Sequence, residues 1–273
     1  MAVTINAAVS GQTSDTDSSG TLTEMNAITG VDGQEFFCTT YNHTFRWINN
    51  RWFPVHGIDP RYGFMLQDDF LGTVGAPWTA AGTVNATAVG GTGPGQWTIT
   101  QSTASTRSCI IQNAGGIQLG SMDLYIEAVI RTGALATASE DYCLTVGLND
   151  NSAYNANGAP TDGVYFQYNR AVTGDFWGTR TCSNSSVTAN TSTIAVAAST
   201  AYRLGIVISA ATDAKFFVNG VQTADTHTAN LPTGASRQTC LCLKIDKTAG
   251  TGASELFVDH LTVYGFFSSA RVS

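Results

Sequence analysis

The side chains able to do acid–base chemistry are few in this 273-residue chain. Retaining hydrolysis of a glycosidic bond needs two carboxylates about 5–5.5 Å apart. Glu127 stands alone in its predicted strand, and the adjacent Glu140 and Asp141 would point to opposite faces of a strand. Glu255 and Asp259, four residues apart, could share a face, but they lie in the last predicted strand rather than in the middle of a groove. The sequence therefore predicts that the protein is not an enzyme.

The positions of the histidines do not predict nucleophilic catalysis either. The four histidines are scattered along the chain, at His43, His56, His227 and His260. Asp259 and His260 are neighbours in a predicted strand, so their side chains cannot form the orienting pair of a Ser-His-Asp triad. We expect all four to be solvated or to lie at the edge of the core.

Three aspartates are candidates for binding a hard cation: Asp68, Asp69 and Asp259. Calcium prefers oxygen ligands from carboxylates and carbonyl groups. Asp is also common in turns, which explains these residues equally well. Calcium is thus the one cofactor that the sequence leaves open, and no other is predicted.

Sugar binding usually needs an exposed aromatic ring with polar groups around it. Tyr154, Tyr168 and Trp177 lie near segments rich in Asn and Thr, with Asn149 and Asn155 close by in the sequence. We predict that these five residues bind carbohydrate. Burial of the rings in a sandwich core is the alternative, and the sequence does not decide between the two.

Composition excludes several classes of partner. Only 12% of residues are charged and the net charge is −7, whereas a typical globular domain is about 25% charged. Lys and Arg never occur side by side, so the clustered cations that a nucleic acid requires are missing. No apolar segment approaches the roughly 20 residues that span a bilayer, and the N-terminus does not resemble a signal peptide. We expect synthesis and folding in a cytoplasm, without binding of nucleic acid or insertion into a membrane.

The elements that must position these residues are short strands. Asn219-Gly220 ends one apolar run and precedes another, which is the strongest short-range hairpin signal. Further strands are predicted near 68–71, 77–80, 96–101, 107–112, 122–132, 142–148, 163–168, 175–181, 185–196, 202–209, 214–223, 238–245 and 254–267. Nothing is typical of a long helix. The pattern predicts an all-β protein whose residues 67–273 form one jelly-roll-like, two-sheet sandwich.

Residues 1–66 have a different pattern, an extended arm followed by a small β meander. Pro54 restricts its last strand to a sheet edge. A meander of about 35 residues buries too little surface to be stable alone. We therefore predict that its aromatic residues form an attachment or oligomerisation interface; they are Phe36, Phe45, Trp47 and Trp52.

Eight short motifs follow one another between residues 68 and 267. They are Asp68-Asp-Phe70 with Trp78, Met122–Ile130, Leu144–Asp150, Asp162–Tyr168, Tyr202–Ile206, Phe216–Gly220, Asn230–Pro232 and Val258–Val263. In this order they resemble the concanavalin A-like lectin/glucanase sandwich, in the laminin-G-like version found as a terminal domain of tailed-phage virion proteins. Residues 1–66 resemble, more loosely, the small β modules that precede such domains on phage fibres.

The resemblance implies a structural virion protein, a capsid decoration or head fibre or a tail appendage. Its N-terminal segment would contact other virion proteins, and its lectin-like domain would contact a host-surface glycan. Phage appendages are commonly three-fold, so a homotrimer assembled in the host cytoplasm is expected. A carbohydrate-active enzyme of the same fold, hydrolase or lyase, is the first alternative, and a cellular lectin is the second.

Overall fold

Short strands dominate the computed structural model of the protein. The residues described are 18–21, 24–25, 27–48, 51–55, 58–70, 77–82, 96–102, 106–112, 116–150, 160–209 and 212–268. The chain divides into two compact units, one of Met1–Met65 with Ser269–Ser273 and one of Leu66–Ser268. None of the helices in the described residues is long and apolar enough to span a membrane.

The first unit contains a four-stranded sheet in the order β1-β2-β3-β4. Its strands are β1 (Ser18–Gly20), β2 (Glu35–Cys38), β3 (His43–Ile48) and β4 (Arg51–Pro54). Strand β1 runs parallel to β2, and the other pairs are antiparallel. Pro54 lies in an edge strand, where its missing N–H costs no ladder bond.

The predicted exposure of the aromatic residues in this unit is wrong. Phe36, Phe45 and Trp47 are buried, and Trp52 is half-buried. The register places all four on one face of the sheet. There the ring of Trp52 lies 5.8 Å from Phe36 and 5.1 Å from Trp47, and its Nε1 donates to the Met25 carbonyl. The rings cover one another, so this small unit has an aromatic core of its own.

The sandwich has fourteen strands in the described residues, and the first of them begins at Gly63, three residues before the second unit. They are β5 (Gly63–Asp68), β6 (Trp78–Gly82), β7 (Trp97–Gln101), β8 (Thr106–Gln112), β9 (Met122–Thr132), β10 (Tyr142–Asn149), β11 (Gly163–Asn169), β12 (Phe176–Ser183), β13 (Ser186–Ala195), β14 (Ala201–Ser209), β15 (Asp213–Val218), β16 (Val221–His227), β17 (Cys240–Lys247) and β18 (Ser254–Phe267). A 3-10 turn at Leu119–Ser121 and a single helical turn, α1 (Arg170–Thr173), are added to them.

These strands form two sheets. Sheet I has the order β13-β12-β11-β10-β17-β8-β6, and sheet II has the order β16-β15-β14-β9-β18-β5, with β7 paired to β18. Aromatic rings join the two sheets through the core: Phe166 lies 5.2 Å from Phe216, and Trp177 lies 5.4 Å from Tyr202. The prediction of an all-β, two-sheet sandwich is confirmed.

Sheet I is buried on both faces at its centre. Every residue of β10 is buried, as are all of β17 except Cys240. Apolar side chains such as Leu144, Val146 and Leu243 face the sandwich core, because strand residues alternate between faces. The residues between them must face outward, and they are unusually polar for buried positions.

Candidate functional site

The outward-facing residues of sheet I form an ordered polar surface, which we call the outer face. The register aligns Arg180, Tyr165, Gly147 and Cys242 in one row across four strands. Gly178, Gln167, Thr145 and Lys244 form the next row. Small residues in β10 thus lie between larger polar side chains on β11 and β12 at one side and on β17 at the other.

Gly147 lies in the middle of the outer face and has no side chain to fill the space above the sheet. Its φ of 147° is one that L side chains rarely adopt. A Cβ at this position would also lie 2.5 Å from the Val164 carbonyl oxygen and 3.0 Å from the Tyr165 Cβ. No larger residue fits without moving β11, so the backbone itself forms the floor between Tyr165 and Cys242.

Arg180 is the unusual charge on the outer face. Only 5% of its surface is exposed. Its Nη1 donates to the carbonyls of Thr179 and Asn190, at 2.9 and 2.6 Å. Among the described residues no carboxylate forms an ion pair with it, and burial lowers the pKa of its guanidinium. Burying a charge without a counterion is costly, so its retention calls for an explanation.

Lys244 and Asp246 also lie on this face, and they form an ion pair with each other. Their Nζ and Oδ2 atoms are 2.6 Å apart, and both side chains are almost fully buried. Burial by itself would lower the pKa of Lys244, but the Asp246 carboxylate outweighs it and the pKa is raised. The two charges compensate each other, which leaves Arg180 as the excess charge among the described side chains of this face.

Thiols complete the outer face. Cys143, Cys182, Cys240 and Cys242 alternate with core residues, and all are free. Burial raises the pKa of Cys143 and Cys182 to about 11 and that of Cys240 to about 12. The thiolate is the nucleophilic form, so these groups stay protonated and unreactive at neutral pH.

Asn149, predicted from the sequence to bind sugar, does lie on the outer face, at the end of β10. It is almost fully buried, and apart from the adjacent Cys242 thiol, a weak hydrogen-bonding group, the polar atoms of its amide lack a partner among the described residues. A buried amide without partners is uncommon in native proteins and marks a place where a polar group can be accepted.

The predicted aromatic platform is not formed by Tyr168 and Trp177, and this part of the prediction is wrong. Both residues have no exposed surface. The Tyr168 hydroxyl accepts from the Ala136 N–H and donates to Asp175, and the Trp177 ring packs on Phe166. Both side chains have the parity of core residues in strands buried on both faces. Tyr154 and Asn155 lie outside the described residues.

Two of the three predicted metal residues have other partners. The Asp68 carboxylate accepts from the Phe70 N–H at 2.7 Å and from Trp78 Nε1 at 2.6 Å. Asp69 pairs with His260, and Asp259 is exposed at a bulge in β18. In the described part of the chain, no three potential metal ligands come together.

Asp69, His260 and Thr262 form a hydrogen-bonded chain that the sequence did not reveal. Asp69 Oδ1 lies 2.6 Å from His260 Nδ1, and His260 Nε2 lies 2.6 Å from Thr262 Oγ1. A triad needs an accessible nucleophile, but here Thr262 is buried and Asp69 is exposed. This order fits a clamp that holds residue 69, just after β5, against β18.

The two-sheet sandwich has the fold of concanavalin A-like lectins and glucanases. Residues 92–259 match the model of the family described as SO2946-like, C-terminal domain. The chain therefore belongs to this family. A comparison with curated protein sequences gave no match.

Solved structures show the same fold at low identity. The protein of unknown function SO2946 from Shewanella oneidensis MR-1 is 13% identical, with a TM-score of 0.54 over 78% of this chain and 90% of that chain. An endo-1,3-beta-glucanase from Streptomyces sioyaensis is 15% identical, with a TM-score of 0.53 over 77% and 99%. Peanut lectin is 11% identical, with a TM-score of 0.52 over 74% and 97%. Lectins and a hydrolase share this fold, so function must be argued from the site.

Proposed function

We propose that this chain is a bacteriophage virion protein whose sandwich binds a host-surface glycan on the outer face of sheet I without cleaving it. One observation carries the binding part: two adjacent rows of polar side chains, which include Arg180, Tyr165 and Gln167, on a surface with a glycine floor. Buried polar groups are expensive unless they have partners. Sugar hydroxyls would supply those partners.

The absence of cleavage is proposed from the carboxylates. In the described part of the outer face, Asp246 is the one carboxylate in a strand, and it is engaged by Lys244. Glu255 and Asp259 lie in β18 of sheet II. A retaining or inverting hydrolase needs two carboxylates flanking one bond, and burial keeps Tyr165 from acting as a base because it raises the pKa of the phenol.

Binding can be tested with the full chain and purified host polysaccharides on a sensor surface. Gln167 and Asn169 are half-buried on the outer face, so their replacement by Ala should weaken binding about tenfold. Gln222→Ala, on the exposed strand β16 of sheet II, is the matched control. Unchanged binding by the Gln167 and Asn169 variants would refute the proposed site. Release of reducing ends or unsaturated sugars would replace it with the enzyme alternative.

The virion part of the proposal rests on the resemblance of residues 68–267 to phage terminal domains. Residues 1–66 would attach the protein to the particle. Their core rings are buried, so the contact surface must be revised to apolar residues that do reach solvent, Val31 and Phe37. Phe37→Ser should reduce incorporation into particles, and deletion of residues 1–62, which spares β5, should abolish it while leaving a soluble sandwich. Normal incorporation of the truncated protein would contradict the proposal.

A further inference from the structure

We propose that Arg180 forms a carboxylate-recognition subsite on the outer face, so that the bound glycan is an acidic one. This inference rests on the proposed glycan-binding function and specifies its ligand. It starts from the position of the guanidinium. Arg180 lies directly opposite Tyr165 in the register, and two residues after Gly178 on the same face of β12.

Gly178 makes room for the guanidinium against the sheet. A Cβ at residue 178 would lie 3.0 Å from Arg180 Nη1 and 3.2 Å from its Cζ. Contacts this close are not tolerated without displacement of the side chain. The side chain therefore lies along the strand over Gly178, rather than extending straight out into solvent.

The hydrogen bonds of Arg180 leave one edge of its guanidinium without an acceptor in the described residues. Nη1 donates to the two carbonyls of Thr179 and Asn190, which anchors that corner. Nε and Nη2 have no acceptor among the described residues. Together they form the planar side of the guanidinium that matches the two oxygens of a carboxylate. An anchored guanidinium loses little entropy when it binds such a group.

The charge balance of the outer face favours a monoanion. Lys244 is compensated by Asp246. The groups whose charge acts on Arg180 are Tyr165 and Cys143, and burial keeps both protonated by raising the pKa of each. His227, on the core side, is buried and its pKa is lowered, so it adds no charge at neutral pH. Among the described side chains of the outer face, one uncompensated positive charge remains, which a single carboxylate would neutralise.

Neighbouring groups can hold the rest of an acidic sugar. The Asn149 amide, whose one hydrogen-bonding neighbour in the described part of the chain is the weakly bonding Cys242 thiol, can both donate and accept. The half-buried Gln167 lies on the same face, two residues along β11 from Tyr165. Carboxamides of this kind pair with sugar hydroxyls and ring oxygens, whereas the guanidinium pairs with the acid.

The test compares acidic glycans with their uncharged counterparts. The full chain is applied to an array of bacterial capsular and O-antigen polysaccharides that contain uronic acids, each printed in its free form and after methyl esterification, with neutral polysaccharides alongside. We expect binding to a free acid to fall at least tenfold on esterification. Arg180→Gln should weaken the same interaction about 10- to 100-fold. Arg203→Gln, which removes an arginine paired with Glu127 in sheet II, should leave it unchanged.

The outcomes separate this inference from the function on which it rests. Binding of neutral and esterified polysaccharides as tightly as the free acids would overturn the carboxylate subsite and leave glycan binding intact. Esterification that weakens binding while Arg180→Gln does not would also overturn it. Failure of the wild-type chain to bind any polysaccharide would defeat both. Because the esterified ligands probe the wild-type chain, the test stands even if the Arg180 variant does not fold.

Discussion

At the residue scale, the protein buries several ions, and each has a different reason to be tolerated. Lys247 has no exposed surface, yet it points to the core side of sheet I. Its Nζ donates to Glu140 Oε2 at 2.5 Å, to the Gly252 carbonyl at 2.7 Å and to Ser254. Glu140 also accepts from the backbone N–H groups of Thr251 and Gly252. The pair ties the turn after β17 to the segment before β10.

This pair should respond asymmetrically to mutation. Glu140→Gln leaves a buried ammonium without its carboxylate and should destabilise the fold more than Lys247→Met, because a free Glu140 can rehydrate. The hydrogen bond from Lys247 lowers the pKa of Glu140. Its contribution to stability is therefore complete above the ordinary carboxyl pKa and is lost as pH falls through the lowered value. Urea midpoints measured between pH 7 and acid should converge for wild type and Glu140→Gln. A larger loss in Lys247→Met would contradict this account.

At the scale of elements, the hairpin between β15 and β16 shows how local sequence sets topology. Asn219 and Gly220 have φ values of 52° and 81°, and the Asn219 side chain accepts from the Arg203 N–H at 2.9 Å. Positive φ at both positions is what a type I′ turn requires.

Replacing Gly220 tests the hairpin directly. Gly220→Ala should cost about 1–2 kcal/mol, because an L residue is strained at this φ. Gly234→Ala is the matched control, since its Cβ would meet only ordinary contacts with Arg237 and no positive φ is involved. The difference in free energy of unfolding between the two variants, from urea denaturation, measures the turn. Equal stabilities would show that the turn geometry contributes nothing.

The periodic elements were predictable from the sequence. The predicted strands at 122–132 and 254–267 coincide with β9, which alternates along its whole length, and with β18, which is a long and mostly apolar run. The strand predicted at 68–71 is displaced: β5 ends at Asp68, whose carboxylate binds the Phe70 N–H while Phe70 adopts a φ of 51°. Helix α1, capped by the Asn169 side chain, is too short to leave a periodic signal.

The site was harder to predict, because strands buried on both faces give no alternation. Nearby segments rich in Asn and Thr predict that Tyr168 and Trp177 are surface aromatics, but both lie on the core face. The proximity of Arg180 and Tyr165 does not follow from the sequence, because it depends on the register between β11 and β12. One signal was available: Tyr165 and Gln167 are two apart in a strand, so they must share a face.

At the scale of the whole molecule, exposed apolar residues on the edge strands support the expected homotrimer. Strand β13 ends one side of sheet I, contains no charged residue in ten positions and exposes Val187. Strand β16 ends sheet II and exposes Val221 even more. A long uncharged edge such as β13 invites pairing with another chain, and closed symmetry protects it.

Light scattering at micromolar concentration should give the mass of three copies of the 28.7 kDa chain. Val187→Lys and Val221→Lys should lower that mass, because a buried lysine at an edge opposes strand pairing. Val172→Lys, at an equally exposed position in α1, is the control and should leave the assembly intact. A mass near 28.7 kDa for the wild-type chain would contradict the trimer. If neither edge substitution affects the trimer, its interface lies elsewhere. The N-terminal unit exposes Val31 and Phe37, and these residues would then be substituted next.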